Sequence, residues 1–416
     1  MKRIPYGISD YEELITDNCY YVDKTMYLEK LEKSDKTLVY LRPRRFGKTL
    51  FTSMMYYYYD INSKDKFDTL FKETYVYDNP TPNKNNYYIL KFDFSGMTVD
   101  SNDEESILNA FKENVYDGIC KFINHYDLDL KIDRNSLPTE QIGDFIRHFD
   151  SLKLDNKIYI IIDEYDNFTN SILSKNSDMF KDILGNDGFV KAFYAKIKQY
   201  RGTIIDRVFI TGVCSISLDS MTSGFNIATN ITTDFRVNAM TALTHTEVEN
   251  LVKEVDNKNK DKIFEEMLIN YDGYKFSRLT EELVFNPNLT MYYLNSICET
   301  KLPPEELLDS NILSSYDGIK NIISLGEYKE VLKDIFDNDE IESELKTNFE
   351  LYINKFKRED IISLLYYFGY LTINKLGYNG LIFNIPNNVI RSVFVSYFKE
   401  ILKEIEVKID NNNANL

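Results

Sequence analysis

The sequence of 416 residues predicts an α/β fold in which helices cover a parallel β-sheet. Two observations lead to this prediction. Short apolar segments alternate in residues 1–243 with longer segments of helical character, which is the order that βαβ units produce. One of these segments, Ile158–Ile162, is a continuous run of isoleucine and tyrosine, as expected of a parallel strand that is buried on both faces.

The elements of this fold follow one another along the chain. Strands are predicted at Leu38–Leu41, Tyr87–Phe94, Ile158–Ile162, Arg207–Val213 and Asn238–Leu243. Helices between them are predicted at Thr49–Asp60, Asp103–Tyr126 and Thr139–Ser151. From Thr244 onward the pattern is helical, and near the end a helix at Glu359–Tyr367 precedes two strand-like segments, Tyr370–Asn374 and Leu381–Ile385. A helix followed by a hairpin is typical of a winged helix.

The first predicted strand leads through an arginine-rich loop into Gly-Lys-Thr at the start of a helix. A helix start offers unpaired N–H groups to an anion, and Gly47 lets the backbone come close to a phosphate. In the P-loop pattern the lysine, here Lys48, reaches the β- and γ-phosphates, and the hydroxyl of Thr49 ligates Mg²⁺. The pattern has glycine where this chain has Arg42, and Pro43 removes one N–H donor from the loop.

The strand at Ile158–Ile162 ends in two adjacent carboxylates, which are the second half of the predicted site. The carboxyl ends of parallel strands line one crevice, so we expect Asp163 to face the metal ion near Thr49 through a water molecule. Glu164 would orient and deprotonate the water that attacks the γ-phosphate. Catalysis of this kind needs positioning and charge neutralisation, to which Lys48 would also contribute.

Two further groups complete the predicted catalytic set. Thr211, at the end of the next strand, is the candidate for a polar residue beside the γ-phosphate, with Ser215 as the alternative. Either hydroxyl can instead serve only backbone groups. Arg236 is the candidate for an arginine that stabilises the transition state; Arg278, or an arginine supplied by a neighbouring subunit, is the alternative.

Composition excludes several other classes of function. The formal net charge of −17 argues against an overall basic surface for nucleic acid, although it leaves a local one open. Three histidines disfavour a multi-histidine metal site and a Ser-His-Asp hydrolase. No apolar segment predicts a signal peptide or a membrane span, and the four cysteines are scattered, so we expect a cytoplasmic, intracellular protein without membrane partners.

Several segments together resemble the family of predicted AAA-ATPase-like proteins. The resemblance rests on Tyr21–Thr25, Arg42–Thr49, Ile161–Asp166, Phe209–Val213 with Ser217-Leu218, Thr222–Ile227, Tyr271–Ser277, Asn286-Pro287 and Phe368–Thr372. The arginine-rich loop is characteristic of that family, which explains Arg42 in place of glycine. The resemblance implies an AAA-type core that binds ATP and Mg²⁺, with the nucleotide at Arg44, Arg45, Phe46, Gly47, Lys48, Thr49 and Leu50. It also implies that Thr49 and Asp163 hold the metal and that Asp163 and Glu164 have the Walker B roles.

The resemblance extends almost to the end of the chain. Members of the family commonly continue into a PD-(D/E)xK nuclease-like domain after the segment that ends here near Ile405, and we expect none in this chain. No Asp…Glu-x-Lys pattern on paired strands is present near the C-terminus. Nuclease activity is therefore not expected.

The predicted fold class is an α/β P-loop NTPase sheet of the additional-strand, catalytic-glutamate type, with Tyr87–Phe94 as the additional strand. Its domains are an ATPase core at 1–243, a helical lid at 244–300 and a helical, winged-helix-like unit at 301–416. The predicted function is that of an ATPase that uses Mg²⁺ and ATP to drive a conformational change. The alternative is a non-hydrolytic, nucleotide-dependent binding or sensor module. A homo-oligomer, a nucleic acid and an unknown protein partner all remain open.

Overall fold

A computed structural model describes residues 2–97, 103–173, 176–184, 188–216, 227–308, 328–349, 356–396 and 399. The segments Ser217-Leu218 and Thr222–Asn226, which contributed to the family resemblance, lie outside these residues. The chain divides into two compact units, one of Met1–Thr241 with Asn348–Tyr352 and the other of Ala242–Thr347 with Ile353–Leu416. The finer division of residues 244–416 into a lid and a C-terminal part stays a prediction.

The first unit is built on a five-stranded parallel sheet. Its strands are β1 (Thr37–Leu41), β2 (Tyr87–Asp93), β3 (Lys157–Asp163), β4 (Ile205–Gly212) and β5 (Thr229–Asn230), in the spatial order β2-β3-β4-β1-β5. The α/β fold with a parallel sheet is therefore confirmed. The strand that separates β1 from β3 in the sheet is β4, whereas β2 lies at the edge beyond β3. The predicted strand at Tyr87–Phe94 is therefore present between the two motifs in the chain. Its place at the edge of the sheet was not predicted, because order along the chain does not give order in the sheet.

Helices precede and follow these strands, and they include the three that the sequence predicts. They are α1 (Tyr11–Thr16), α2 (Met26–Glu32), α3 (Lys48–Tyr59), α4 (Phe67–Phe71), α5 (Tyr75–Asp78), α6 (Glu104–His125), α7 (Pro138–Ser151), α8 (Asn167–Leu173), α9 (Ser177–Leu184) and α10 (Phe189–Gln199). The segment Asn238–Leu243 is not the predicted strand, because a 3-10 turn at Phe235–Val237 runs into further turns there. The last strand of the sheet is instead the two-residue β5.

Both faces of the sheet are covered, which accounts for the uninterrupted apolar sequence of β3. On one face the aromatic residues of α3 pack on the strands, with the rings of Tyr59 and Tyr159 5.2 Å apart and those of Phe51 and Phe209 6.4 Å apart. On the other face α6, α7 and α10 pack together. The tyrosine run at the end of α3 therefore serves mainly the core: Tyr58 and Tyr59 are fully buried.

The second unit contains two small antiparallel sheets among helices. Its described elements are β6 (Leu243–Thr244), α11 (His245–Asp256), α12 (Lys260–Tyr271), β7 (Val284–Phe285), α13 (Pro287–Thr300), α14 (Tyr328–Asn338), β8 (Glu340–Ser343), α15 (Arg358–Tyr367), β9 (Thr372–Leu376) and β10 (Leu381–Asn384). The predicted order of a helix and a hairpin is present as α15, β9 and β10. No strand was predicted at β8, which pairs with β10 as a third strand.

The segment Tyr271–Ser277, which contributed to the family resemblance, has a structural role within the second unit. Gly273 has a φ of +96°, and a Cβ there would lie 2.0 Å from the carbonyl oxygen of Pro386. The backbone N–H of Lys275 donates to Thr372 Oγ1 at 2.6 Å. These contacts join the end of α12 to the region of the C-terminal hairpin, so this segment organises packing in the unit.

Candidate functional site

The loop after β1 enters α3 through two residues in the left-handed region. Arg45 has a φ of +67° and Gly47, the N-cap of α3, has a φ of +72°. A Cβ on Gly47 would lie 3.0 Å from the carbonyl oxygen of Thr241, so the position favours glycine for space as well as for conformation. The loop thereby ends at the N-terminus of a twelve-residue helix, whose first N–H groups have no partner within the helix.

Lys48 connects this loop to the end of β3. Its ammonium group donates to the carbonyl oxygens of Arg42 and Pro43, each at 3.1 Å, and lies 3.3 Å from Glu164 Oε1. The Lys48 side chain is 2% exposed and that of Glu164 is 17% exposed, so water screens this ion pair only weakly. The structure thus brings together the lysine and the glutamate that the two sequence motifs supplied.

Asp163 lies at the carboxyl end of β3, fully buried, and its Oδ2 accepts a hydrogen bond from Thr52 Oγ1 at 3.2 Å. Burial, and then the neighbouring charge of Glu164, raise the pKa of Asp163 to about 6. Thr49 lies half-buried in the first turn of α3, and its carbonyl oxygen accepts from the same Thr52 hydroxyl at 2.9 Å. Thr52 was missing from the sequence prediction, although its position one turn after Thr49 on α3 could have indicated it.

These side chains fit a hard divalent cation. A desolvated carboxylate and hydroxyl groups are oxygen ligands of the kind Mg²⁺ takes, and Mg²⁺ sites usually combine one or two carboxylates with substrate phosphates. Within the described part of the chain, no group of three or more His, Cys, Asp or Glu side chains could hold a metal ion. A metal ion at Asp163 would therefore take its other ligands from hydroxyl groups, phosphate and water.

The raised pKa of Asp163 predicts how the stability of the protein depends on pH. In the unfolded chain this carboxyl titrates near 4, so folding penalises the charged form above pH 6, and the penalty falls between pH 6 and pH 4 and is lost only below pH 4. Asp163→Asn should therefore raise the free energy of unfolding at pH 7.5 by about 1–3 kcal/mol and at pH 4.5 by about a third of that amount. Urea denaturation of both proteins at the two pH values measures this difference. A variant that is less stable than the wild type at pH 7.5 would contradict the prediction.

Glu164 has an unusual backbone conformation that directs its side chain. Its φ is +51°, a left-handed value that is uncommon for a residue other than glycine, and its N–H donates to Asp163 Oδ1 at 3.1 Å. The next residues hold the turn in place. Asp166 accepts from the backbone N–H groups of Val213 and Cys214, the latter at 2.8 Å, and so ties the loop after β3 to the loop after β4.

Gly212 permits this close approach of the two loops. A Cβ at Gly212 would lie 2.4 Å from Asp166 Oδ1 and 2.4 Å from the ring of Tyr165. The hydroxyl of Tyr165 donates to the carbonyl oxygen of Cys214. The sequence analysis assigned no role to Tyr165 and Asp166, and their contacts show that they fix the turn which carries Glu164.

The two candidate hydroxyl groups after β3 are both in the interior. Thr211 and Ser215 are fully buried, and within the described residues neither hydroxyl oxygen has a hydrogen-bond partner. Strand alternation places Thr211 on the same face of β4 as Phe209, whose ring packs against Phe51 of α3. Thr211 therefore faces the side of the sheet on which Lys48 begins its helix. A buried hydroxyl without a partner is suited to a polar ligand.

The three loop arginines have three different environments. Arg42 is 1% exposed and donates to the carbonyl oxygens of Leu41, Thr232 and Val237, with its guanidinium 4.4 Å from the centre of the Tyr40 ring. It therefore holds the loop from inside the protein and does not extend towards a ligand. Arg44 donates to Asn167 Oδ1 at 3.1 Å, and Arg45 is exposed.

The remaining predicted residues are placed as follows. Phe46 is buried beneath the loop and Leu50 packs partly buried against the core. Arg236 lies in the 3-10 turn, where its exposed guanidinium pairs with Asp234. The structure does not bring Arg236 into contact with Lys48, Asp163 or Glu164, so its predicted catalytic role stays a prediction. Arg278 belongs to the second unit.

The chain is similar to a family of proteins, to one further protein sequence and to one solved structure. A family model described as Predicted AAA-ATPase matches residues 5–222. An uncharacterised protein in the vnfD 5′ region of Azotobacter chroococcum is 26% identical over 288 residues, which are 69% of this chain and 50% of that protein. This chain thus spans about half the length of that relative. The crystal structure of Cdc6p from Pyrobaculum aerophilum aligns over 97% of this chain and 96% of that chain, at 11% identity and a TM-score of 0.32.

The described helices include none that is both long enough and apolar enough to cross a membrane. The family model covers just over half of the chain and includes both the loop at Arg42–Thr49 and the strand that ends at Asp163. The chain belongs to the Predicted AAA-ATPase family, and its first unit is an ATPase-like P-loop fold.

Proposed function

We propose that the first unit binds ATP with Mg²⁺ at the sheet edge where β1 and β3 end, and that it hydrolyses ATP to drive a conformational change. The observation that carries the proposal is the 3.3 Å contact between Lys48 Nζ and Glu164 Oε1. It joins the loop before α3 to the turn after β3, although 116 positions separate the two residues in the sequence. A single ligand at this contact would meet the phosphate-binding lysine and the carboxylate base together.

Each residue of the site would have its own role in hydrolysis. Lys48 would exchange its two loop carbonyls for phosphate oxygens, and Thr49 and Asp163 would hold the metal ion. Bound Mg²⁺ would neutralise phosphate charge. Glu164 would accept a proton from the attacking water while the water oxygen bonds to the γ-phosphorus and ADP leaves. Thr211 would orient the water or the γ-phosphate through its buried hydroxyl, which has no hydrogen-bond partner in the described residues.

The same contact supports one alternative, a non-hydrolytic module that uses nucleotide to fix a conformation. Lys48 and Glu164 neutralise one another in the structure. If the pair persists when nucleotide binds, Glu164 is unavailable as a base and the site senses ATP without consuming it. A partner that reads such a conformation, whether a second copy, a protein or a nucleic acid, belongs to this proposal as well.

The experiment that tests the proposal is phosphate release from ATP by the full chain. We expect turnover that needs Mg²⁺ and stops when the metal is chelated, with the oligomeric state followed by size-exclusion chromatography with and without nucleic acid. ATP binding without any phosphate release would favour the sensor. Absence of ATP binding would exclude both forms of the proposal.

A further inference from the structure

A cavity lies in the first unit, along the outer edge of β2. Its volume is about 360 Å³, within the range of small-molecule sites, and it opens between α3, β2 and α6. Most of the residues that line it are polar or charged, among them Tyr56, Lys91, Asp93, Asp117, Lys121 and His125. The lining contains no residue of the loop at Arg42–Thr49, although Asp93 pairs in register with Asp163 in the sheet. The cavity therefore opens beside the nucleotide site and not at its phosphate loop.

The walls of the cavity are built by close contact between α6 and β2. A Cβ on Gly118 of α6 would lie 2.7 Å from the ring of Phe92 and 3.2 Å from the carbonyl oxygen of Lys91, so the helix can approach this closely only with glycine there. The hydroxyl oxygen of Tyr126 accepts a hydrogen bond from the backbone N–H of Ile89 at 2.7 Å. The side chain of Asn114 donates to the carbonyl oxygen of Asp93 at 2.8 Å. These two hydrogen bonds engage the outer edge of β2 at Ile89 and at Asp93, and Lys91 lies between these two positions.

One end of the cavity carries an oriented imidazole. His125 Nε2 lies 3.0 Å from Oδ2 of Asp60, a fully buried carboxylate that also accepts from the hydroxyls of Tyr126 and Ser63, each at 2.7 Å. The His125 ring lies 5.9 Å from that of Tyr56. A buried carboxylate behind the imidazole fixes the orientation of the ring, as carboxylates do behind metal-bound histidines. The ring edge that carries Nδ1 is left to hydrogen-bond a ligand.

The two lysines of the cavity differ in their surroundings: the charge of Lys91 counteracts the rise in the pKa of Asp163, whereas Lys121 lies exposed on α6. In the part of the chain that the structure describes, neither Lys91 nor Lys121 forms a salt bridge, although Asp93 and Asp117 line the same cavity. Lys121 and Asp117 are one turn apart on α6, a spacing at which a lysine and an aspartate often pair. The site thus offers two ammonium groups and an imidazole, together with two carboxylates that can accept hydrogen bonds.

We infer that this cavity binds a small phosphorylated polyol, with its phosphate at Lys91, Lys121 and His125 and its hydroxyl groups at Asp93 and Asp117. Ammonium donors suit phosphate oxygens, because charge-assisted hydrogen bonds are the stronger ones, and the imidazole of His125 adds a further hydrogen-bonding group. Carboxylates repel a phosphate but accept well from hydroxyl groups, so the mixed lining selects a ligand that carries both. A simple anion would satisfy only half of the site.

The test uses the small number of histidines in this chain, which are His125, His148 and His245. Ribose 5-phosphate is titrated into the full chain while the imidazole C–H signals are followed by NMR, in the presence of saturating ADP and Mg²⁺. His125→Gln identifies the His125 signal. We expect that signal to shift saturably, with a dissociation constant below about 1 mM, while the other two stay in place. Inorganic phosphate should bind more weakly, and ribose should produce no shift.

Substitutions separate a built site from general charge effects. Lys91→Gln and Lys121→Gln should each weaken binding of ribose 5-phosphate by about tenfold. Lys112→Gln, on α6 but outside the cavity lining, is the matched control and should leave the affinity unchanged. Unchanged signals of His148 and His245 show that each variant is folded. No saturable shift up to about 10 mM, or equal affinity in all three lysine variants, would overturn the inference.

Discussion

Glu164→Gln should lower ATP turnover by about a hundredfold or more while changing the affinity for ATP by less than about threefold. Glutamine has the size of glutamate and can still hydrogen-bond, but it cannot accept the proton of the attacking water. The substitution also removes the negative partner of Lys48, which lies 3.3 Å from Glu164. Lys48 is then more readily available to phosphate, so the affinity for ATP should be retained or should rise.

Phosphate release and equilibrium binding, measured on the same preparations, check this expectation. Glu113→Gln is the matched control, because Glu113 pairs with Arg134 at the surface of α6 and plays no part in the site. Equal turnover in the wild type and in Glu164→Gln would remove Glu164 from the reaction. It would leave the sensor as the account of the site.

Lys48→Ala should weaken ATP binding by about a hundredfold, because it removes the buried ammonium group that faces the phosphates. The substitution should have a smaller effect on the stability of the nucleotide-free protein. The Lys48 ammonium donates to two loop carbonyls, and those of Arg42 and Pro43 can turn to water if the lysine is shortened. We therefore expect a variant that folds, with a melting temperature close to that of the wild type.

Calorimetric titration with ATP and Mg²⁺ measures the affinity of both proteins. Lys33→Ala is a suitable control, since Lys33 is an exposed residue that pairs with Glu29 near the end of α2. An ATP affinity that is the same in Lys48→Ala and in the wild type would show that the nucleotide binds elsewhere.

The sequence predicts the centre of this site because strand ends and helix starts leave clear patterns. Ile158–Ile162 must be buried, so the carboxylates that follow it must emerge at the end of the strand. Gly47 and Lys48 begin a helix directly after a strand, and parallel topology brings the two ends to one edge. The 3.3 Å distance between Lys48 and Glu164 is the outcome.

The role of Arg42 could not be predicted, because it depends on segments far away in the chain. A charged residue in a loop is usually solvated, yet the Arg42 guanidinium reaches the carbonyl oxygens of Thr232, 190 positions away, and of Val237. Both carbonyls lie in turns between β5 and β6. A buried guanidinium needs several acceptors at fixed distances, and only the folded chain supplies them.

The position of β4 and the shortness of β5 were also beyond sequence reasoning. An apolar pattern identifies a strand but not its neighbours, so it could not place β4 between β1 and β3 in the sheet. A two-residue strand such as Thr229–Asn230 has no periodicity to detect. The cavity beside β2 was not predicted for a related reason, since Lys91 and His125 line the same cavity only when α6 packs on the strand edge.

The most direct test of the account is a crystal structure of the Glu164→Gln protein with ATP and Mg²⁺. We expect the triphosphate at the start of α3, with Lys48 Nζ moved from the carbonyl oxygens of Arg42 and Pro43 to phosphate oxygens and the metal ion between Thr49 and Asp163. Nucleotide bound away from the loop, or a Lys48 that keeps both carbonyl contacts beside bound ATP, would contradict it.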